Sequence, residues 1–215
     1  RAAGGQVLPL LGDVTDPAQV RSQYSEIKTA WGGLDWAILN AGVSDSRGAR
    51  EFSAENYRWT LETNVLGVAY WLEAVLPDMI GAGGGVVAGV ASLAGYRGLP
   101  QSGAYCASKS ALITMLESTR VDLRGTGVDV VTICPGFVKS ELTARYGDQK
   151  LPFCLETSDG VRRMLDGIRA RRRLVHFPWQ LSYPVIYLLH NLPAWAYDRL
   201  APLWKRRKRP YQQGL

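Results

Sequence analysis

Residues 90–111 read VASLAGYRGLPQSGAYCASKSA. In this stretch Ser92 stands thirteen positions before Tyr105, and Lys109 follows Tyr105 by four. On a helix, positions i and i+4 share a face roughly 6 Å apart along the axis. The spacing therefore predicts that the Lys109 ammonium lies near the Tyr105 hydroxyl. A free phenol titrates near ~10, too high for a base at neutral pH, and a neighbouring cation favours its ionised form. Ser92 ends the apolar run at 86–91 and is placed to donate to the oxygen that Tyr105 protonates. Such a trio suits proton transfer at a carbonyl or an alcohol.

The tyrosine–lysine spacing alone is not specific, for it recurs at Tyr24/Lys28 and at Tyr146/Lys150. Tyr24 joins Val20, Ile27 and Trp31 in the apolar stripe of a surface helix. Tyr146 precedes Gly147-Asp148, a turn signal. Thirteen positions upstream of these tyrosines stand Leu11 and Ile133, not serine. Only Tyr105 has the serine, a strand before it and a helix around it.

Further segments resemble the short-chain dehydrogenase/reductase family over roughly residues 5 to 178. Leu39-Asn40-Ala41-Gly42 is similar to the family's Asn-Asn-Ala-Gly turn, with Leu in the first position. Asn64 in Thr63-Asn64-Val65-Leu66-Gly67 matches a fourth catalytic position, whose family role is to hold a water in a proton relay. Pro135-Gly136-Phe137-Val138-Lys139-Ser140 resembles the segment that meets the nicotinamide, and Asp13-Val14 the pair that meets the adenine.

The resemblance implies an α/β fold with a Rossmann-like, doubly wound parallel sheet, and hydride exchange between nicotinamide and a small carbonyl or alcohol substrate. By the same resemblance Asn64, Ser92, Tyr105 and Lys109 are catalytic. Asp13, Val14, Asn40, Ala41, Gly42, Tyr105, Lys109, Pro135, Gly136, Val138 and Ser140 line the cofactor. The cofactor is NAD or NADP, with NADP the working choice. The family's Thr-Gly-x-x-x-Gly-x-Gly turn does not appear, so the sequence reads as N-terminally truncated by a β-α-β unit of ~30 residues. The family strand order, 3-2-1-4-5-6-7, then leaves the strand expected at 6–11 two options. It closes against the next strand or stays apart with unpaired edges.

At 215 residues and 47% hydrophobic, the chain is long enough for a full core. Cys106, Cys134 and Cys154 make neither a zinc spacing nor an even disulfide set, and the first two read as small core residues. His176 and His190 are too isolated for a metal site. Residues 205–209 carry five of the six net positive charges. No apolar run reaches the ~18 residues that a spanning helix needs.

In chain order, strands are expected at 6–11, 34–39, 86–91, 128–134 and 174–177. Helices are expected from Pro17 to about Ala30, capped by Asp16, and from about Ala54 to Ile80, with Trp59, Leu66, Ala69 and Leu72 among its apolar positions. Further helices are expected from about Ser102 to Arg124 and from a Ser158 cap to about Arg169. Residues 140–156 suit a mobile lid. The motifs fall at the carboxyl ends of strands, where open α/β sheets bind ligands.

Residues 1–178 read as the oxidoreductase domain and 179–215 as an aromatic and basic extension. Prolines 178, 184, 193 and 202 preclude one long helix there. Its aromatics beside Lys and Arg suit an anionic membrane surface through 179–209; packing on the domain or on a second subunit, or plain solvation, accounts for them equally. Nucleic acid is disfavoured. The helices at 54–80 and 102–124 are candidate faces for a homo-oligomer, and the expected location is cytoplasmic.

Overall fold

The computed structural model describes residues 4–204, the side chain of Trp204 excepted, so the basic run at 205–209 lies outside the described residues. Helix α1, Pro17–Trp31, starts where expected. The Asp16 carboxylate accepts from the Ala18 and Gln19 amides, and Gly32 ends the helix in a left-handed conformation (φ 80°) that glycine adopts without strain.

Four parallel strands follow: β1 (Trp36–Leu39), β2 (Gly85–Val90), β3 (Val128–Pro135) and β4 (Leu174–Phe177). They pair in the order β1-β2-β3-β4. Between them run α2 (Ala54–Leu61), a π-helical turn (Glu62–Leu66), α3 (Gly67–Gly81), α4 (Gly103–Asp122), α5 (Glu141–Ala144) and α6 (Thr157–Arg169). The short α7 (Trp179–Tyr183), a second π-helical segment (Pro184–Leu189), α8 (Ala194–Leu200) and a 3-10 turn (Ala201–Trp204) close the described chain.

The central strands β2 and β3 are buried on both faces, as the interior of a parallel sheet requires, while β1 and β4 alternate buried and open positions. On one face Ala37, Leu39, Val87 and Val130 pack with Leu72, Val75, Leu112 and Leu116 of α3 and α4. On the other, Val86, Ala88, Val131 and Ile133 pack with Ile168 of α6. Burying one such side chain stabilises by ~1.5–3 kcal/mol. Ile186 from the C-terminal π-helical segment joins the first cluster, so this segment packs on the sheet unit.

Several expectations are corrected. Residues 6–11 form no strand; Val7 and Leu11 are exposed, and no strand among the described residues pairs with them. Of the two options, the segment stays apart. β1 is an edge strand whose Trp36 and Ile38 face outward.

The helix at 54–80 exists but buries Asn56, Thr60, Asn64, Val68 and Leu72, whereas Leu66 is exposed. The π turn adds a residue to the repeat; in the polar half of the buried stripe Thr60 Oγ1 donates to Asn56 Oδ1 at 3.5 Å, and Asn64 bonds the Val43 backbone. Glu156, not Ser158, is the N-cap of α6, and its side chain makes no capping hydrogen bond.

The segment 140–156, expected as a mobile lid, is tied at both ends. Lys139 N–H donates to the Leu155 carbonyl at 2.9 Å, Leu155 N–H to the Phe137 carbonyl at 3.0 Å, and Thr157 Oγ1 to the Lys139 carbonyl at 2.7 Å.

Candidate active site

β2 delivers Ser92 at its carboxyl end, and α4 carries Tyr105 and Lys109 one turn apart on its inner side. Ser92 and Lys109 are buried; Tyr105 keeps part of its surface open. The Ser92 hydroxyl is hydrogen-bonded to the Tyr105 oxygen. Lys109 Nζ donates to the Val90 carbonyl at 2.7 Å and lies 5.8 Å from the centre of the Tyr105 ring.

The Tyr105 pKa is raised overall, not lowered as the Lys109 spacing suggests. Burial pushes the phenol up to about 12; the Ser92 hydrogen bond lowers it only in part, and Cys106, Tyr146 and Cys134 raise it further. Burial also pulls Lys109 down to about 8. The physical reason is that the lysine is itself desolvated and spends its N–H on a strand carbonyl. At neutral pH the phenol therefore holds its proton, which is the donating form.

Asn64 is fully buried in the π-helical turn, a device that recurs at functional sites. Its Oδ1 accepts from Val43 N–H at 2.7 Å, and its Nδ2 donates to the Val43 carbonyl and to Ser108 Oγ, both at 2.9 Å. Ser108 Oγ donates in turn to the Tyr105 carbonyl at 2.8 Å. Asn64 thus clasps the 40–43 turn against α4. Gly42 sits between the groups: a methyl placed there would lie 3.4 Å from both Asn64 Oδ1 and Lys109 Nζ.

The expected cofactor residues divide. Val14, Asn40 and Ala41 line one groove of about 310 Å³ along β1. Asp13 is exposed, its carboxylate accepting from the Thr15 amide and hydroxyl at 2.9 Å each.

Pro135 and Gly136 end β3, but a methyl on Gly136 would meet Leu181 Cδ2 at 2.9 Å, so the C-terminal segment occupies that side. The Val138 side chain packs toward Gly160 and the α6 cluster. Ser140 is exposed, and its N–H donates to Thr143 Oγ1 at 2.8 Å.

Of the other tyrosine–lysine pairs, Tyr24 is a brace. Its hydroxyl donates to Asp78 at 2.7 Å, and Lys28 pairs with the same carboxylate at 2.8 Å. Tyr146 is less remote than its turn context suggests. It packs edge-on against Phe137 with ring centres 5.9 Å apart, and it lies close enough to Tyr105 to oppose its ionisation. Beside it, Arg145 reaches the buried Asp45 at 3.4 Å, and Arg47 reaches the same carboxylate at 2.8 Å.

Ser108, Asp45 and Arg145 also take part, and no sequence pattern marks them. A serine in a run of small residues reads as packing, and an ion pair 100 residues apart leaves no local signal. Among the described residues no three His, Cys, Asp or Glu side chains gather as metal ligands.

The family model described as short chain dehydrogenase matches residues 1–151. An uncharacterized oxidoreductase from Myxococcus xanthus is 47% identical over 184 residues, covering 86% of this chain and 72% of that protein. Sorbitol dehydrogenase from Cereibacter sphaeroides is 35% identical over 146 residues, 65% of this chain and 57% of that protein. A short chain dehydrogenase/reductase from Burkholderia phymatum, solved in complex with NAD, superposes with a TM-score of 0.75 at 25% identity. That alignment covers 98% of this chain and 82% of that one. The chain belongs to the short-chain dehydrogenase/reductase family and is of the oxidoreductase kind, with the α/β fold of that family.

Proposed function

We propose that the chain carries the proton-transfer centre of an NAD(P)-dependent oxidoreductase that interconverts a carbonyl and an alcohol. The observation that carries this reading is the meeting of a protonated, partly open Tyr105 with Ser92 and Lys109 around one phenol. Gly42 supports a flat ring beside it, since its bare backbone leaves space next to Asn64 and Lys109. In this reading Lys109 and the 40–42 turn hold the nicotinamide half of the cofactor, and Val14 lies along the same groove. A bound nicotinamide supplies hydride to the carbonyl carbon, or accepts it from the alcohol carbon.

In the reducing direction Tyr105 gives its proton to the carbonyl oxygen, while the Ser92 hydroxyl donates a hydrogen bond to the same oxygen. Lys109, against the same ring, stabilises the phenolate left behind. Asn64 is a positioning residue that keeps the turn and α4 in register. Residues 1–178 act as the oxidoreductase unit, with 179–215 as its extension.

The test is titration of the full chain with NADH and NADPH by thermal shift, followed by turnover on a panel of ketones and aldehydes. Saturable stabilisation with carbonyl-dependent cofactor oxidation supports the reading. Stabilisation by neither cofactor, together with no turnover, excludes it and favours a non-catalytic scaffold.

A further inference from the structure

The C-terminal segment turns a row of large apolar side chains outward. Trp179, Tyr183 and Tyr187 follow one another at intervals of four, and the last two rings lie 5.5 Å apart. Leu188, Trp195 and Leu203 extend the exposed set, each about two-thirds exposed or more (67%, 68% and 78%). The inner side of the same segment is buried through Ser182, Ile186 and Tyr197, so this is a packed platform with an apolar outer face. Isolated apolar side chains on a surface need no explanation, but a concentration within one short segment marks an interaction site.

The platform is fastened to the loop that leaves Ser92. The Arg97 guanidinium donates to the His190 and Leu192 carbonyls at 2.9 and 3.0 Å and stacks 4.5 Å over the Tyr197 ring. Tyr197 donates to the Gly98 carbonyl, and His190 Nδ1 contacts the Tyr96 carbonyl at 2.7 Å.

Two residues after Leu203 the sequence enters Lys205-Arg206-Arg207-Lys208-Arg209, five of the six net charges of the chain. Five residues span at most ~18 Å even when extended, so the run is covalently tied close to the end of this face.

Trp and Tyr favour the boundary between hydrocarbon and water, and adjacent Lys and Arg favour anionic headgroups. Residues 179–189 form a helical run of only eleven residues, about 16 Å long, against ~30 Å of hydrocarbon. No helix among the described residues is long and apolar enough to cross a membrane. Two copies of the chain meeting at this face would bring two five-cation runs together, which disfavours self-association. The aliphatic Leu188 and Leu203 have no stacking role toward nucleic-acid bases. We propose that the outer face of residues 179–203, together with the basic run at 205–209, docks the protein onto an anionic lipid bilayer at interfacial depth.

The experiment uses the full chain with phosphatidylcholine vesicles, with and without phosphatidylglycerol, followed by sedimentation and by tryptophan emission. Binding to the anionic vesicles, with a blue shift and a loss at high salt, is expected. Replacing all five cations by Gln should weaken binding by on the order of fivefold per charge. The exposed double variant W179S/Y187S should weaken it further while leaving the melting temperature within a few degrees. Equal binding to neutral and anionic vesicles, or anionic binding untouched by the aromatic variant, would overturn the proposal. So would binding of a single-stranded RNA without vesicle binding, or a concentration-dependent dimer that the aromatic variant abolishes.

Discussion

The Asn64 side-chain amide donates to Ser108 Oγ at 2.9 Å, and this one bond ties the π-helical turn between α2 and α3 to the helix that carries Tyr105 and Lys109. Ser108→Ala removes the hydroxyl and leaves one Asn64 N–H buried without its acceptor. A loss of about 1–3 kcal/mol in stability is expected. Asn64→Ala should cost more, because the Val43 amide loses its partner too. Urea unfolding of both variants checks the order, and equal or smaller loss for Asn64→Ala would contradict it.

Tyr105→Phe removes only the transferable proton. On the proposed function, turnover falls by on the order of 10²–10⁴-fold with little change in melting temperature. Tyr146→Phe removes a neighbouring hydroxyl rather than the proton donor, so turnover should stay within severalfold while KM shifts. Steady-state kinetics on the pair decide it: the assignment fails if Tyr146→Phe is the silent enzyme and Tyr105→Phe the active one.

Lys109 makes stability depend on pH in a definite direction. Its pKa is about 8 in the fold against 10.5 as a free side chain. Between those values the unfolded chain binds the proton that the folded chain does not, so stability rises with pH. Below about 8 both states are charged and the burial penalty is constant. The full swing is ~3 kcal/mol for a shift of that size. Lys109→Met lacks it, so the wild type should gain on this variant as pH goes from 8 to 10.5. Taking the difference cancels Cys134 and Tyr105, both pushed up to about 12 by burial and pulling the other way at high pH. A difference in melting temperature that is flat over this range would refute the titration.

Gly42→Ala tests the space beside the catalytic groups. Its new methyl lies at ordinary contact distance, 3.4 Å, from Asn64 Oδ1 and Lys109 Nζ, so the fold should tolerate it. Cofactor affinity should nevertheless fall about tenfold or more if a ring occupies that space, and calorimetric titration reads this directly. Unchanged affinity would move the cofactor away from Gly42.

Asp45→Ala removes the buried carboxylate that pairs with Arg145 in the 140–156 segment. Removing one partner of a buried pair costs ~3–5 kcal/mol where the charge cannot reach water. Arg145 stands at the edge of α5, so the cost should appear as local opening. Limited proteolysis within 141–153 should accelerate well before global unfolding shifts. Identical cleavage rates in variant and wild type would show that the lid is held elsewhere.

The sequence alone determined what depends on local chemistry. Asp16 and Gly32 bound α1 through capping and left-handed geometry, and the apolar runs became β2 and β3, buried on both faces, and the edge strand β4, buried through Val175 and Phe177. The spacing of Ser92, Tyr105 and Lys109 placed all three at one strand end and one helix face. Tertiary structure decided the rest. Residues 6–11 have a strand-like composition, yet a strand needs a hydrogen-bonded neighbour, and none among the described residues pairs with them. Asn64 was legible as unusual within a helix, but only folding supplied Val43 and Ser108 as its partners. The direction of the Tyr105 shift was also a matter of environment: a cation four residues away argues for a lower pKa, whereas burial, which no spacing encodes, outweighs it and keeps the proton on the phenol.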